Sequence, residues 1–332
     1  MPSRNSYSRL ISNQIFLTIY LVLLSVITLI MPDTKVPGGV VVDIPLLAGL
    51  IDIGDIPVYL SSSLAILLLM GMLFSLYCVA VDTFLSYQKA LFFSLLYAII
   101  ALVNRSVLSL SGDMAAAILL VWSLYFSSMG REEERDLFLS SFLISVATLF
   151  CPCLVALIPL IVYFSMLSTS FKVKNFAISL SAVLLPYFFL FSLRYLFFED
   201  AAVFGVLLIT EISNLSALPL RISSLPEIIL VLLLAIASIN ATLSMLTTIS
   251  RYKSKESSIL GRMVFLLILL LLLNIAYPRT FGSFMPYLSI PLSFLIGDYM
   301  TSDNRRFKNR GVELFLFFIM LVVCKIVLIL GN

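Results

Sequence analysis

The residues that could do chemistry in this chain are few, and each stands beside a long apolar run. Asp33 directly follows the first run, and Asp43 shares its polar stretch. Arg105 and Asp113 flank the short connection between the third and fourth runs. Arg194 sits near the end of the seventh, and Arg279 follows Tyr277-Pro278 in a tight turn before Phe281. An arginine at such a boundary suits a phosphate, because its planar fork can bind two oxygens. A carboxylate beside it can take the proton of a hydroxyl acceptor. Together they would serve a lipid-phosphate-linked substrate, with Arg105, Arg194, Arg279 and Asp43 as binding groups. The plainer reading is that these side chains snorkel to the headgroups or pair with one another to hold a bundle. Lys325 is read that way, and Asn104, Asn240 and Asn274 are read as interhelical hydrogen bonders.

Other chemistries are excluded or unsupported. The chain has no histidine, which removes the commonest general base and metal ligand together with every Ser-His-Asp or Cys-His arrangement. There is no P-loop, no GxSxG and no HExxH. Of the four cysteines, Cys78 and Cys324 lie inside apolar runs and read as packing residues. A bridge across Cys151-Pro152-Cys153 would be strained, and two thiols alone make a poor metal site. We therefore expect no metal and no cofactor.

The surroundings of these residues set the class. Of the 332 residues, 61% are hydrophobic and 12% charged, with a mean hydropathy of +1.12. A soluble domain of this size would carry about a quarter of its residues charged, so the bilayer must be the solvent. A net charge of +3 spread over such a chain does not point to nucleic acid. The partners expected are membrane lipids. Eleven candidate spans follow from run length: 14–31, 58–81, 88–103, 113–128, 137–150, 154–167, 175–198, 227–248, 263–277, 281–297 and 312–330. Arg4 and Arg9 precede the first, and no small-residue cleavage site follows it, so it reads as an uncleaved helix. The expected fold is all-α: a polytopic transmembrane helical bundle forming a single membrane domain over 1–332.

Charge placement orients the chain. With a cytoplasmic N-terminus, fifteen of the 21 basic residues fall on inner connections, among them Arg131, Arg135, Lys172, Lys174, Arg251, Lys253, Lys255, Arg262 and the cluster Arg305 to Arg310. An odd span count places the C-terminus outside. Joining 137–150 to 154–167 would put the Arg305 cluster outside, so Pro152 is read as the turn of a hairpin. These two spans cover only about 21 Å each by helical rise. With the equally short 88–103 and 113–128 they suggest a cluster inside a ring of longer helices. The outer face carries two long connections. The first, 32–57, holds Asp33, Asp43, Asp52 and Asp55 against Lys35, and the second, 201–226, holds Glu211 and Arg221 just after Glu199 and Asp200. Both alternate apolar and polar residues, as interfacial segments do. Four C-terminal spans occupy 227–332.

The stretch FLISVATLFCPCLVALIPLIVYFSML, a short basic turn and NFAISLSAVLLPYFFLFSLRYLF resembles a family of polytopic inner-membrane proteins found in Bacteroidetes. It is also similar to the middle of the GT-C superfamily of membrane glycosyltransferases, and residues 14–200 follow the GT-C layout. That resemblance implies a bacterial inner-membrane enzyme taking a sugar from a polyprenyl-phosphate donor at the outer face, for cell-envelope glycans. It places the first-loop catalytic acid on Asp33, with Asp43 second, and the second-loop acid on Asp113 within NRSVLSLSGDMAAA. An inactive relative would look the same. Two other readings stand beside it. One is a non-enzymatic membrane subunit or scaffold of an envelope complex. The other is a transporter, for which Pro152, Pro186 and Pro291 hint at broken helices but no matching halves are visible.

Overall fold

The computed structural model describes residues 46, 58–84, 86–103, 111–128, 134–169, 171–197, 205–206, 208–210, 225–249, 252–276, 281–301, 317 and 319–324. Among them there is helix and no strand. The helices are α1 (Val58–Phe84), α2 (Tyr87–Leu102), α3 (Gly112–Ser128), α4 (Glu134–Phe150), a 3-10 turn (Pro152–Leu157), α5 (Ile158–Ser168), α6 (Val173–Phe197), α7 (Leu225–Thr248), α8 (Ser254–Ala276) and α9 (Phe281–Thr301). Lone helical backbone is what an apolar medium permits, since each N–H then finds its carbonyl within its own segment.

Four of these helices contain stretches long and apolar enough to cross a bilayer: Ser63–Phe84, Val173–Phe197, Ile228–Thr247 and Ser254–Ala276. This is a membrane protein by composition and by surface. On α6, Phe188 and Phe189 are 72% and 66% exposed, alongside Leu184, Leu185 and Leu196. So large an apolar face would be unfavourable in water and is the ordinary outer surface of a helix in lipid. The expected first span, 14–31, lies outside the described residues, and 312–330 is described only at 317 and 319–324.

The interior is built on α2 and α9. Helix α9 contacts α2, α3, α7 and α8, and every residue from 284 to 298 is buried. Helix α2 is buried almost throughout, from Phe92 to Leu102. The inner position of the short helix α2 agrees with its length, but α9 shares the centre and is a full 21 residues. The rings of Phe84, Phe93 and Phe294 join α1, α2 and α9, with centroids 5.0 Å apart for Phe84–Phe93 and 5.4 Å for Phe93–Phe294. Gly297 lets α9 come this close, because a Cβ there would lie 2.2 Å from Phe93 Cδ1. Pro286 and Pro291 each remove a backbone N–H from α9. Hydroxyls add bonds to other carbonyls of this helix: Ser289 Oγ donates to Met285 O at 2.6 Å, Ser293 Oγ to Ile290 O at 2.8 Å, and Tyr97 Oη to Pro286 O at 3.2 Å.

The chain reverses at Pro152. Ser140, near the start of α4, meets Ser165, near the end of α5, with 2.7 Å between their hydroxyl oxygens. The two segments therefore form a hairpin, as the proline suggested. A seam of serines closes the interface of α3, α4 and α5. Ser123 Oγ donates to Ser140 O at 2.7 Å, and Ser168 Oγ donates to Ser127 O at 2.7 Å. Small hydroxyl residues let helices approach closely and satisfy one another in the absence of water.

Two boundaries differ from the sequence expectation for one physical reason. Helix α8 begins at Ser254, nine residues before the expected 263, and α9 runs past 297 to Thr301. A hydropathy window stops at charge, whereas the helix continues until its backbone partners end. Arg262, assigned above to an inner connection, is consequently a helical residue only 8% exposed. Asp298 is 2% exposed and accepts a short hydrogen bond from the Tyr252 hydroxyl. The asparagines also differ from expectation. Asn240 is exposed, and buried Asn274 has no hydrogen-bond partner for its amide among the described residues. Asn104 lies outside them.

The close approach at Gly297 yields a direct expectation. Gly297→Ala forces a methyl group into a fully buried aromatic ring held between two others. Overpacking of this kind costs about 1–3 kcal/mol, and the purified protein's thermal midpoint in detergent should fall. Gly261→Ala, where no atom lies within 4 Å of the added Cβ, should leave the midpoint unchanged or raise it through better helix propensity. Equal midpoints for Gly297→Ala and wild type would refute the packing described.

Candidate functional site

The ionisable acids and bases enclosed in the bundle lie toward its two ends, among the described residues. At the end where α3 begins, Asp113 stands in the first turn, half-buried. Its Oδ1 accepts a hydrogen bond of 2.9 Å from the hydroxyl of Tyr287 on α9. Tyr287 is 1% exposed and also lies against the thiols of Cys151 and Cys153 at the α4–α5 turn. Those sulfurs are 2.8 Å apart and belong to free cysteines. Tyr97 of α2 donates to the Pro286 carbonyl and reaches Met114 Sδ at 3.9 Å. One carboxylate, two phenols and two thiols thus converge from α2, α3, α9 and the hairpin turn. Each helix delivers its side chain from within a turn or two of the same end, which is why residues so far apart in sequence meet.

This arrangement holds a carboxylate in one orientation while leaving it partly accessible. Asp113 can accept a proton from a bound hydroxyl or offer a fixed negative charge, while the phenol beside it donates its one hydrogen bond to Asp113 Oδ1. The described residues contain no group of three or more His, Cys, Asp or Glu able to hold a metal.

Of the other candidate catalytic and binding residues, Arg194 alone is described. It lies in the last turn of α6, 3% exposed, and its Nη2 donates to the Leu46 carbonyl at 3.2 Å. Leu46 is fully buried in a small cluster with Leu149 and Leu190. The guanidinium therefore ties the long connection 32–57 to α6 at Leu46. A second tie between α4 and α6 is nearby, where Ser145 Oγ donates to Val183 O at 2.6 Å and Thr148 shares a short hydrogen bond with Tyr187. Asp33, Asp43, Arg105 and Arg279 lie outside the described residues, as do Arg221 and Lys325.

The other end of the bundle holds residues the sequence reading did not single out. Arg262 extends from α8 between α3 and α5, donating from Nη1 to Ser127 Oγ at 3.2 Å and from Nη2 to Ser168 Oγ at 2.5 Å. Its guanidinium carbon is 5.4 Å from the centroid of the Phe164 ring. Arg262 borders a cavity of about 720 Å³ together with Lys255, Ser168, Tyr163, Phe164 and Phe265. The clue available in sequence was its spacing. Ile259, Met263, Leu266 and Leu270 continue one helical face directly across Arg262, so the charge belongs to the helix and not to a loop. At the same end, Lys174 and Glu134 form an exposed ion pair between the starts of α6 and α4.

In comparisons with known proteins, no family model, no curated protein and no solved structure matches this chain.

Proposed function

We propose that this chain is a multi-pass inner-membrane protein that transfers a sugar from a polyprenyl-phosphate donor at the outer face, in the manner of the GT-C glycosyltransferases. The observation supporting this reading is Asp113. A catalytic base needs a fixed direction and an approach for its substrate. Tyr287 supplies the first by anchoring one carboxylate oxygen, and the half-buried position of Asp113 leaves room for the second. In the orientation set by the basic residues, the start of α3 is its outer end. There the acceptor hydroxyl would lose its proton to Asp113 as it attacks the sugar carbon, and the polyprenyl phosphate would leave. Asp33 is the companion acid expected from the first connection, with Arg279 and Arg105 as phosphate ligands.

A second reading is a non-enzymatic subunit of an envelope complex. It is favoured by Arg194, whose guanidinium donates to the Leu46 carbonyl and so ties two segments of the protein together. A carboxylate held by a phenol is also a sound structural contact.

Mass spectrometry of lipid-linked sugars and envelope glycans separates the two, in a strain lacking this chain and complemented with variants. On the transferase reading, the deletion strain accumulates a polyprenyl-phosphate sugar and loses a glycan residue. Asp113→Asn, expressed at the wild-type level, should then lower transfer by about 100-fold or more, the usual scale for loss of a general base. Tyr287→Phe keeps the carboxylate and loses its charge-assisted hydrogen bond, about 1.5 kcal/mol, so its defect should be smaller, near tenfold. Unchanged lipid and glycan pools in the deletion strain would remove the transferase reading and leave the subunit.

A further inference from the structure

We infer that the cavity beside Arg262 binds the phosphate head of an anionic membrane lipid. Arg262 is 8% exposed, and among the described residues no carboxylate pairs with it. A buried guanidinium is costly unless its charge is compensated. Two serine hydroxyls and the face of Phe164 meet part of that need, but all three are neutral. A guanidinium has five N–H donors in a planar fork, and the two hydrogen bonds to Ser127 and Ser168 leave others for a ligand. A phosphate would complete the set and supply the missing charge. Lys255 adds a second cation on the same cavity and is exposed, as a side chain at its mouth would be. No described carboxylate lines the cavity, and Asp82 borders a separate small cavity with Lys255.

The rest of the lining selects a lipid over a free ion. A volume of about 720 Å³ is that of a small-molecule site and far exceeds the need of inorganic phosphate. Tyr163, Leu167 and Phe265 wall the cavity, yet are 50%, 52% and 59% exposed. They belong at once to the cavity and to the apolar outer surface of the bundle. The space therefore has a cationic inner part and an apolar margin that meets hydrocarbon, which is the shape of a phospholipid headgroup with its first acyl carbons. Its place at the ends of α3 and α5 and the start of α8 puts it at headgroup depth. Asp113 and Ser128 are separated by roughly 22 Å of helical rise along α3. This site is thus distinct from the Asp113 end, and the inference does not depend on transferase activity.

Native mass spectrometry of the purified full-length protein tests it, with phosphatidylglycerol, phosphatidylcholine or inorganic phosphate as probe. Wild type should retain phosphatidylglycerol at least about tenfold more than phosphatidylcholine, and Arg262→Gln should reduce that retention by about tenfold, the loss of one charge-assisted contact. Gly261→Leu supplies a variant that keeps the charge. No atom lies within 4 Å of a Cβ at Gly261, which faces the cavity, and leucine in place of glycine favours the helix. It should keep or raise the thermal midpoint while reducing the lipid adduct by intruding on its space beside Arg262. Where Arg262→Gln fails to fold, Gly261→Leu and the exposed Lys255→Gln decide the matter. Equal retention of the two lipids by wild type, or an adduct undiminished in folded Gly261→Leu, would overturn the proposal. Displacement of the lipid by millimolar inorganic phosphate would overturn the lipid assignment and leave a soluble-anion site.

Discussion

A polar group enclosed in an apolar bundle has no water to turn to, and this constraint organises the whole interior. The backbone meets it by staying helical. Along α9, which holds two prolines, the hydroxyls of Ser289, Ser293 and Tyr97 find carbonyls of that helix as their acceptors. The serine seam between α3, α4 and α5 meets the same need for side chains, pairing Ser123 with the Ser140 carbonyl and Ser140 with Ser165. These contacts also bring backbones near enough for dispersion forces to act, and in lipid those forces replace the hydrophobic drive that would assemble helices in water. Gly297 against Phe93 shows the same economy of space in the centre.

The constraint also distributes function. Among the described residues the middle of the bundle holds hydroxyls but no charge, and each end carries charged groups whose environment restricts what they can do. At one end Asp113 is oriented by Tyr287 beside Cys151 and Cys153. At the other, Arg262 is held by Ser127, Ser168 and Phe164 at the edge of a cavity. A carboxylate supported by a phenol is suited to orientation and proton exchange. A guanidinium whose described partners are all neutral is suited to an anion. The difference between the two ends lies in the partners and not in the number of charges.

Much of the architecture was legible in the residues. Long apolar runs mark α1, α6, α7 and most of α8, and Pro152 marks the reversal between α4 and α5. The sequence reading was weaker wherever charge and helix coincide. Arg262 looked like a loop residue because a one-dimensional count treats charge as the end of a span, yet the serines of α3 and α5 make a place for it inside. Asp298 went unnoticed for the same reason, with its partner Tyr252 lying 46 residues earlier. Asn274 was expected to bond a neighbouring helix, and its amide finds no partner among the described residues. Arg194 was placed correctly at the end of its helix, but its use as a tie to Leu46 depends on a contact spanning 148 positions.

By itself, then, the sequence determined the solvent and the secondary structure. Composition demanded a bilayer, and apolar run length together with proline placement demanded helices with particular reversals, because those requirements are local and additive along the chain. Only the tertiary structure decided which charges are enclosed, which are paired and which border open space. Whether Asp113 meets a phenol, or Arg262 a carboxylate, is set by how distant helices are rotated and spaced against each other. That rotation follows from packing at points such as Gly297 and Ser140, whose consequences are expressed in side chains far away in sequence.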